Sequence, residues 1–409
     1  MSTFFKRFGR LWLFIPLLFL LSCGSNDSSN GESFKIENAI WYVELDDNGE
    51  YSLIYDPIIY EDIIIYPKMA TYFQDGELIA YNKNTGEELW RWSEAKEKYD
   101  KNGFSKFGYA YDGILAIGDN NYTAAIDIYT GETLWENYGN FHSSTVRGGG
   151  EHIFKIRMIP DSTHWVEKAN IHTGIWETMY TLKKEDGFKL ASRVPHPIEY
   201  NDKVYLAFLK SNWHSLPFYK ENTFLYLYNV TDDLLEWKSD TIQTEYNTSG
   251  TPGVFPAFNE GKILLSNDAI YSYNIEDGSL AWRNYYGGSF TLTSRIEAKD
   301  GKVFGNNGQS FFIGLDVHTG DEIFRTETGG SPSRVQYHDG KCYLASVSKP
   351  GQGNWFMEID GTNGAVINEF RAPSETNDPG IFNWALTVDP ETGNLYTGNQ
   401  YHAICYNFE

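Results

Sequence analysis

The side chains able to do chemistry are few and are not spaced for it. Three cysteines, Cys23, Cys342 and Cys405, form neither an adjacent pair nor a Cys-x-x-Cys motif, so no redox dithiol and no zinc knuckle is encoded. The nine histidines are scattered, without His-x-His or His-Glu-x-x-His, and a histidine metal centre lacks its ligand spacing. A Gly-x-Ser-x-Gly elbow, a phosphate loop and a dinucleotide fingerprint are all missing. The acidic turn Asp46-Asp47-Asn48-Gly49 carries calcium-type donors but reads as a solvated connector. No catalytic residue and no metal are expected. Cys342 and Cys405 sit in strand-like runs and read as buried small hydrophobes; whether they pair stays open.

What the chain has instead is aromatic surface and carboxylate turns. Aromatics make up 16% of the 409 residues, with 29 Tyr, 26 Phe, 12 Trp and 38 Gly, a profile of short strands joined by glycine turns. The formal net charge is −22. Such a surface repels phosphate backbones and anionic headgroups, which argues against a nucleic-acid partner.

The elements that must position these residues are announced by Ala125–Trp135, Ala-Ile-Asp-Ile-Tyr-Thr-Gly-Glu-Thr-Leu-Trp. An apolar strand ends on Asp127, turns through Thr130-Gly131 and re-enters a strand carrying Trp135. Asp bonds forward to turn backbone, Gly takes positive φ, and Trp needs a core. The motif recurs at Asn82…Gly86…Trp90, Asn170…Gly174 with its Trp displaced to Trp176, Asn229…Asp233…Trp237, Asn274…Gly278…Trp282, Asp316…Gly320…Phe324 and Asp360…Gly364…Phe370. The turn positions 86, 131, 174, 233, 278, 320 and 364 lie 45, 43, 59, 45, 42 and 44 apart. Four strands per period of about 40–45 residues is a propeller blade.

Seven turns imply seven blades, and an eighth is implied by the ends. Asn394–Thr397 and Ala403–Asn407 repeat the second and third strands of a blade, and then the chain stops. The strand Ile40–Leu45, which has no nearby hairpin partner, can supply the missing fourth strand together with Trp41. The expected fold is therefore all-β: an eight-bladed propeller of four-stranded antiparallel blades, closed by an N-terminal strand in the C-terminal blade, which removes two sheet edges. Trp90, Trp135, Trp237, Trp282 and Phe324 are expected to be structural, docking blade on blade.

The pattern Asp-x-x-Thr-Gly-x-x-x-Trp of residues 127–135 resembles the tryptophan-docking repeat of the pyrroloquinoline-quinone-type propellers, over nearly the whole mature chain. One branch of that superfamily, the quinoprotein alcohol dehydrogenases, would imply a calcium-bound quinone, a catalytic Asp and adjacent cysteines. This chain lacks the cysteine pair, a Cys-x-x-Cys-His haem site and a match to the calcium set, so the quinone and calcium are set aside and no cofactor is expected. The other branch comprises non-catalytic lipoproteins similar to the propeller subunit of the outer-membrane β-barrel assembly machinery. It implies a protein-binding or scaffolding role in outer-membrane protein assembly.

The leader agrees with that branch. Lys6, Arg7 and Arg10 precede an apolar run, Leu11–Leu21, too short to span a bilayer comfortably. Leu20-Leu21-Ser22-Cys23 resembles the bacterial lipobox, which implies cleavage before Cys23 and its acylation. Residues 1–22 are then a signal peptide and 23–33 a Ser/Asn/Gly tether, with 34–409 a single propeller domain. Gly24 after the cysteine implies outer-membrane sorting.

Strand direction suggests where a partner binds. Connections after first and third strands leave one face of a propeller, and those after second and fourth strands leave the other. The Thr-Gly turns mark a tight first face; length variation falls on the second. There lie Lys210–Asn222 with Trp213, His214, Phe218 and Tyr219, the Ser348–Asn354 segment before Trp355, the stretch Asn284–Phe290 with Tyr285, Tyr286 and Phe290, and Pro373–Trp384. Loops on a rigid scaffold carry binding, and Trp and Tyr are common anchors. Two readings of these aromatics stand: a partner or glycan surface, or capping of the blade ends.

Overall fold

A computed structural model of the chain describes residues 39–45, 52–54, 56–70, 76–94, 108–119, 122–138, 142–143, 146–159, 163–185, 189–214, 220–242, 256–266, 269–285, 296–306, 311–329, 333–349, 353–371, 385–398 and 401–407. Every named element among them is a β-strand, and the strands form eight antiparallel sheets. Numbered along the chain, blade 1 holds the strands of residues 52–92, blade 2 those of 108–138, blade 3 those of 142–183, and blade 4 those of 189–238. Blade 5 spans 257–284, blade 6 spans 297–327, and blade 7 spans 336–371.

Blade 8 is made from both ends. Its order is Trp41–Glu44, His402–Tyr406, Leu395–Gly398, Leu386–Val388, with Trp41 opposite Cys405 and Glu44 opposite His402. Together the eight blades make a closed eight-bladed propeller.

The burial pattern explains the layering. Middle strands lie between two neighbouring blades, so they are apolar on both sides: Tyr122–Asp127 and Glu77–Asn82 have four or five consecutive buried residues each. A short continuous apolar run is what a strand covered on both faces requires. Fourth strands alternate, as in Glu88–Trp92, where Trp90 and Trp92 are buried and Glu88, Leu89 and Arg91 are exposed. First strands of successive blades touch one another around the axis, which places them innermost.

Blade 4 departs from the expected plan. Within the 59-residue interval, Lys210–Asn222 reads from sequence as a loop between the second and third strands, but Lys210–His214 and Lys220–Asn222 are ladder. Lys189–Tyr200, Lys203–His214 and Lys220–Asn229 are paired along nearly their whole length, well beyond the five-residue second strand of blade 5. Trp213 therefore lies within a strand, opposite Lys189 and Glu221, and His214 ends that strand opposite Lys220. In blade 7, likewise, Lys341–Lys349 and Gly353–Asp360 absorb most of the supposed loop, with Trp355 opposite Val347 and Arg371. Backbone groups that a loop would leave to water are instead paired in the hairpin.

Candidate functional site: the blade seams and the axial cavity

The recurring turn builds a joint between blades. In blade 2, Asp127 Oδ1 accepts from the backbone N–H groups of Tyr129 and Thr130 at 2.9 Å each, and Gly131 N–H bonds back to the Asp127 carbonyl at 2.9 Å. The turn closes on Gly131 at φ 75°, a conformation that costs glycine nothing. The Trp90 ring of blade 1 lies flat on that glycine, so close that a Cβ would sit 2.8 Å from the indole. Its Nε1 donates to the Ile128 carbonyl at 2.7 Å. Trp135 does the same to Gly174 and Ile171, Trp237 to Gly278 and Ile275, and Trp282 to Gly320 and Val317. Phe324 covers Gly364 without a polar bond, and Thr326 Oγ1 donates to the Gly364 carbonyl instead, at 2.5 Å.

Trp176 and Phe370 do not occupy this position. The docking ring stands four residues after the turn glycine and just beyond a bulge. In blade 7 that place belongs to Asn368, opposite Glu358, while Phe370 lies opposite Phe356. In blade 3 the bulge is shifted, Trp176 pairs with Ala169, and the four-residue place is Thr178, opposite Glu167.

A second set of clasps lies on the turn face, which sequence reading missed. Tyr129 donates to Glu61 of the preceding blade at 3.1 Å. His318 Nε2 meets Glu260 at 2.7 Å, and His172 Nε2 lies 3.5 Å from Asp112. Two of the scattered histidines thus occupy one repeat position, two residues after the Asp or Asn that opens the turn. At the closing joint, Lys83 stands where five other turns carry Ile or Val and blade 7 carries Gly361. Buried, its Nζ lies 3.3 Å from buried Asp389 and 3.1 Å from Glu391. Burial works against the Lys83 ammonium, yet the two carboxylates hold its pKa above the ordinary lysine value. Burial also opposes the Asp389 carboxylate, but Glu391 N–H, the Thr392 hydroxyl and Lys83 hold its pKa below the usual range.

The axis holds a cavity of about 210 Å³ lined by the inner strands of blades 3 to 7, with Arg147, His196, Glu199, Glu297, Lys299 and Arg334 as its polar groups. Arg334 meets Glu297 of the neighbouring blade at 3.3 Å. Arg147 is followed by Gly148, Gly149 and Gly150. A Cβ on Gly148 would collide with the Tyr109 ring, so the small residue lets adjacent inner strands close up. Tyr109 donates to the Gly150 carbonyl at 2.9 Å, and burial, reinforced by Glu199, pushes its pKa up to about 12. The lining mixes cations and carboxylates, a setting for polar contacts with a ligand or a partner side chain.

Other chemistry is muted. Cys342 and Cys405 are both free and buried. Burial pushes the Cys342 thiol well above its ordinary pKa and that of Cys405 up to about 12, which suppresses the reactive thiolate. Among the described residues, no group of three or more His, Cys, Asp or Glu side chains is placed to hold a metal. Of the aromatics expected on the loop face, Tyr285 follows the outer strand of blade 5 and is exposed. Trp213, His214 and Trp355 have the strand positions given above. Phe218, Tyr219, Tyr286, Phe290, Trp384 and Cys23 lie outside the described residues.

Comparison with known proteins adds a family. The model of the family described as outer membrane protein assembly factor BamB matches residues 52–186 and 222–395. Among solved structures, BamB from Moraxella catarrhalis is 11% identical, with 91% of this chain and 98% of that chain covered at a TM-score of 0.58. Sqt1 of Saccharomyces cerevisiae is 8% identical, with 90% and 98% covered at 0.64. The computationally designed Ika8 protein is 13% identical, with 88% and 98% covered at 0.59. At these identities the likeness is one of fold. No curated protein matches the chain in sequence.

Proposed function

Because the chain belongs to the family of the outer membrane protein assembly factor BamB, we propose that it is a lipid-anchored envelope propeller that binds protein partners and scaffolds their assembly. In this reading residues 1–22 are removed, Cys23 is acylated, and 23–33 tether the ring to the outer membrane. The ring works without catalysis or cofactor, and its partner is a protein at the membrane, with barrel assembly as the process served. The observation that carries the reading is the family match along both halves of the ring, joined to a lipobox-like Leu20-Leu21-Ser22-Cys23 in the leader. A rigid scaffold presenting variable connections on one face is a common design for a binding module.

Two measurements test it. Fed a labelled fatty acid, cells should incorporate label into the wild-type chain and not into Cys23→Ser. In-cell crosslinking followed by purification from membranes should then capture a barrel-assembly protein. Absence of such a protein, together with specific binding on a glycan array, overturns the scaffold reading in favour of sugar recognition.

A further inference from the structure

Six of the eight seams are docked and two are not. Trp41 docks blade 8 on blade 1, Trp90 blade 1 on blade 2, and Trp135 blade 2 on blade 3. Trp237, Trp282 and Phe324 likewise join blades 4 to 5, 5 to 6 and 6 to 7. The seams between blades 3 and 4 and between blades 7 and 8 lack the joint on both sides. Blade 3 has Thr178 and blade 7 has Asn368 at the docking place. Opposite them, the blade 4 turn carries Asp233 instead of glycine, and blade 8 has no such turn because its third and fourth strands come from opposite ends of the chain. With four blades on either side of each, the two undocked seams lie across the ring from one another.

The residue beneath the docking ring tells the same story. Two positions before the turn's Asp or Asn stand Ala80, Ala125, Leu227, Ser272 and Gly314 in the docked blades, small or apolar surfaces for a ring to cover. In blade 3 that position is Lys168 and in blade 7 it is Glu358. Each charge is satisfied inside its own blade. Lys168 meets Glu177 at 3.1 Å, and buried Glu358 takes Lys341 at 2.9 Å together with the Asn368 amide. Neither charge depends on the blade across the seam, so water entering there strands no partner. The family match also breaks between residues 186 and 222, the stretch holding the first two strands of blade 4.

We infer that the propeller consists of two four-blade half-rings, blades 8-1-2-3 and blades 4-5-6-7, that rock about one undocked seam and part at the other. The hinge is the seam between blades 3 and 4. Its chain link is short, from Lys183 to Lys189, and a large apolar cluster packs Tyr180 against Phe208, Tyr226 and Tyr228. The parting seam is between blades 7 and 8. Its link runs from Arg371 to Leu386, and among the described residues its buried apolar cluster comprises Tyr343, Phe356, Leu386, Val388 and Leu395. Packed interfaces of this kind have discrete arrangements rather than continuous ones.

Pulsed electron-spin distance measurements on the full chain in a Cys23→Ser background test this. Exposed positions in or beside the outer strands carry the labels: Tyr42→Cys with Val366→Cys across blades 7 and 8, Ile175→Cys with Leu234→Cys across blades 3 and 4, and Leu89→Cys with Leu134→Cys across a docked seam. The buried native thiols of Cys342 and Cys405 stay unlabelled. The expected result is a second, longer population for Tyr42–Val366, little lengthening for Ile175–Leu234, and one narrow population for Leu89–Leu134. A single narrow population at all three pairs overturns the inference. So does equal broadening at the docked pair, which would mean that the half-rings are not bodies.

Discussion

Trp41 and Lys83 meet where blade 8 docks on blade 1. The Trp41 indole lies on Gly86 and its Nε1 donates to the Lys83 carbonyl at 2.8 Å, while the Lys83 side chain reaches across the same seam to Asp389. The Tyr396 hydroxyl donates to that carbonyl as well, at 3.1 Å. The blade built from both ends of the chain is thus fastened to blade 1 by a docked ring, two hydrogen bonds to one carbonyl and a buried ion pair.

Trp41→Ala should cost about 3–5 kcal/mol, the usual loss for a buried large aromatic. Trp41→Phe should cost less, because it keeps most of the packing and loses a bond worth about 1 kcal/mol net. Urea unfolding followed by Tyr and Trp fluorescence gives both numbers. Equal costs for the two variants would show that packing contributes little at the seam.

Breaking the buried ion pair should be worse than replacing it. Lys83→Ala leaves Asp389 with only Thr392 and a backbone N–H, and a loss of about 3 kcal/mol is expected. Lys83→Ile together with Asp389→Asn, which gives blade 1 the residue type found in blades 2, 3 and 5, should recover much of that loss. A double-mutant cycle measures the coupling; additive single losses would rule the pair out as a unit.

Two glycines separate ring stacking from backbone strain. Gly131 and Gly150 both have positive φ, at 75° and 57°, but a Cβ on Gly131 meets the Trp90 ring while one on Gly150 meets nothing within 4 Å. Gly150→Ala should cost about 1 kcal/mol for the conformation alone. Gly131→Ala should cost about 1–3 kcal/mol more, for the overpacked joint. Thermal melts compare the two directly, and matching shifts would mean that the indole gives way freely.

Acid should loosen the seam between blades 3 and 4. His164 is buried, its Nδ1 lies 2.7 Å from Ser192 Oγ across that seam, and burial drives its pKa down to about 4. The unfolded chain binds this proton near pH 6.5, so the stability is complete above that value and is lost as pH falls from 6.5 toward 4. At pH 5 the loss should be about 2 kcal/mol. His164→Gln should flatten the stability–pH curve over that window; an unchanged slope would assign the acid sensitivity to other groups.

Much of this architecture was legible in the sequence because the joint is local. Asp127, Gly131 and Trp135 lie within nine residues, and the orphan strand at Trp41 matched a blade that stopped short. Two aromatics stood outside the expected docking set. Trp176 and Phe370 follow their turns at other spacings, and the four-residue interval that places a ring on the next blade selects Thr178 and Asn368. Strand extension in blade 4 was hidden because polar residues such as Lys210, Ser211 and Asn212 look like loop, although all three are buried in the ladder. The Lys83–Asp389 pair joins residues far apart in the chain, and only the odd lysine at a repeat position otherwise held by Ile, Val or Gly361 hints at it. The axial cavity is assembled from five separate inner strands and has no signature in any one of them.

The shared blade also sets an order of events during synthesis. The segment around Trp41 leaves the ribosome long before its hydrogen-bonding partners, Ala403 to Cys405. Seven blades' worth of polypeptide must therefore emerge while that segment waits unpaired, and the circle can be completed only once Ala403 to Cys405 have been made. A ribosome stalled before Ala403 would hold a row of finished wedges with no clasp.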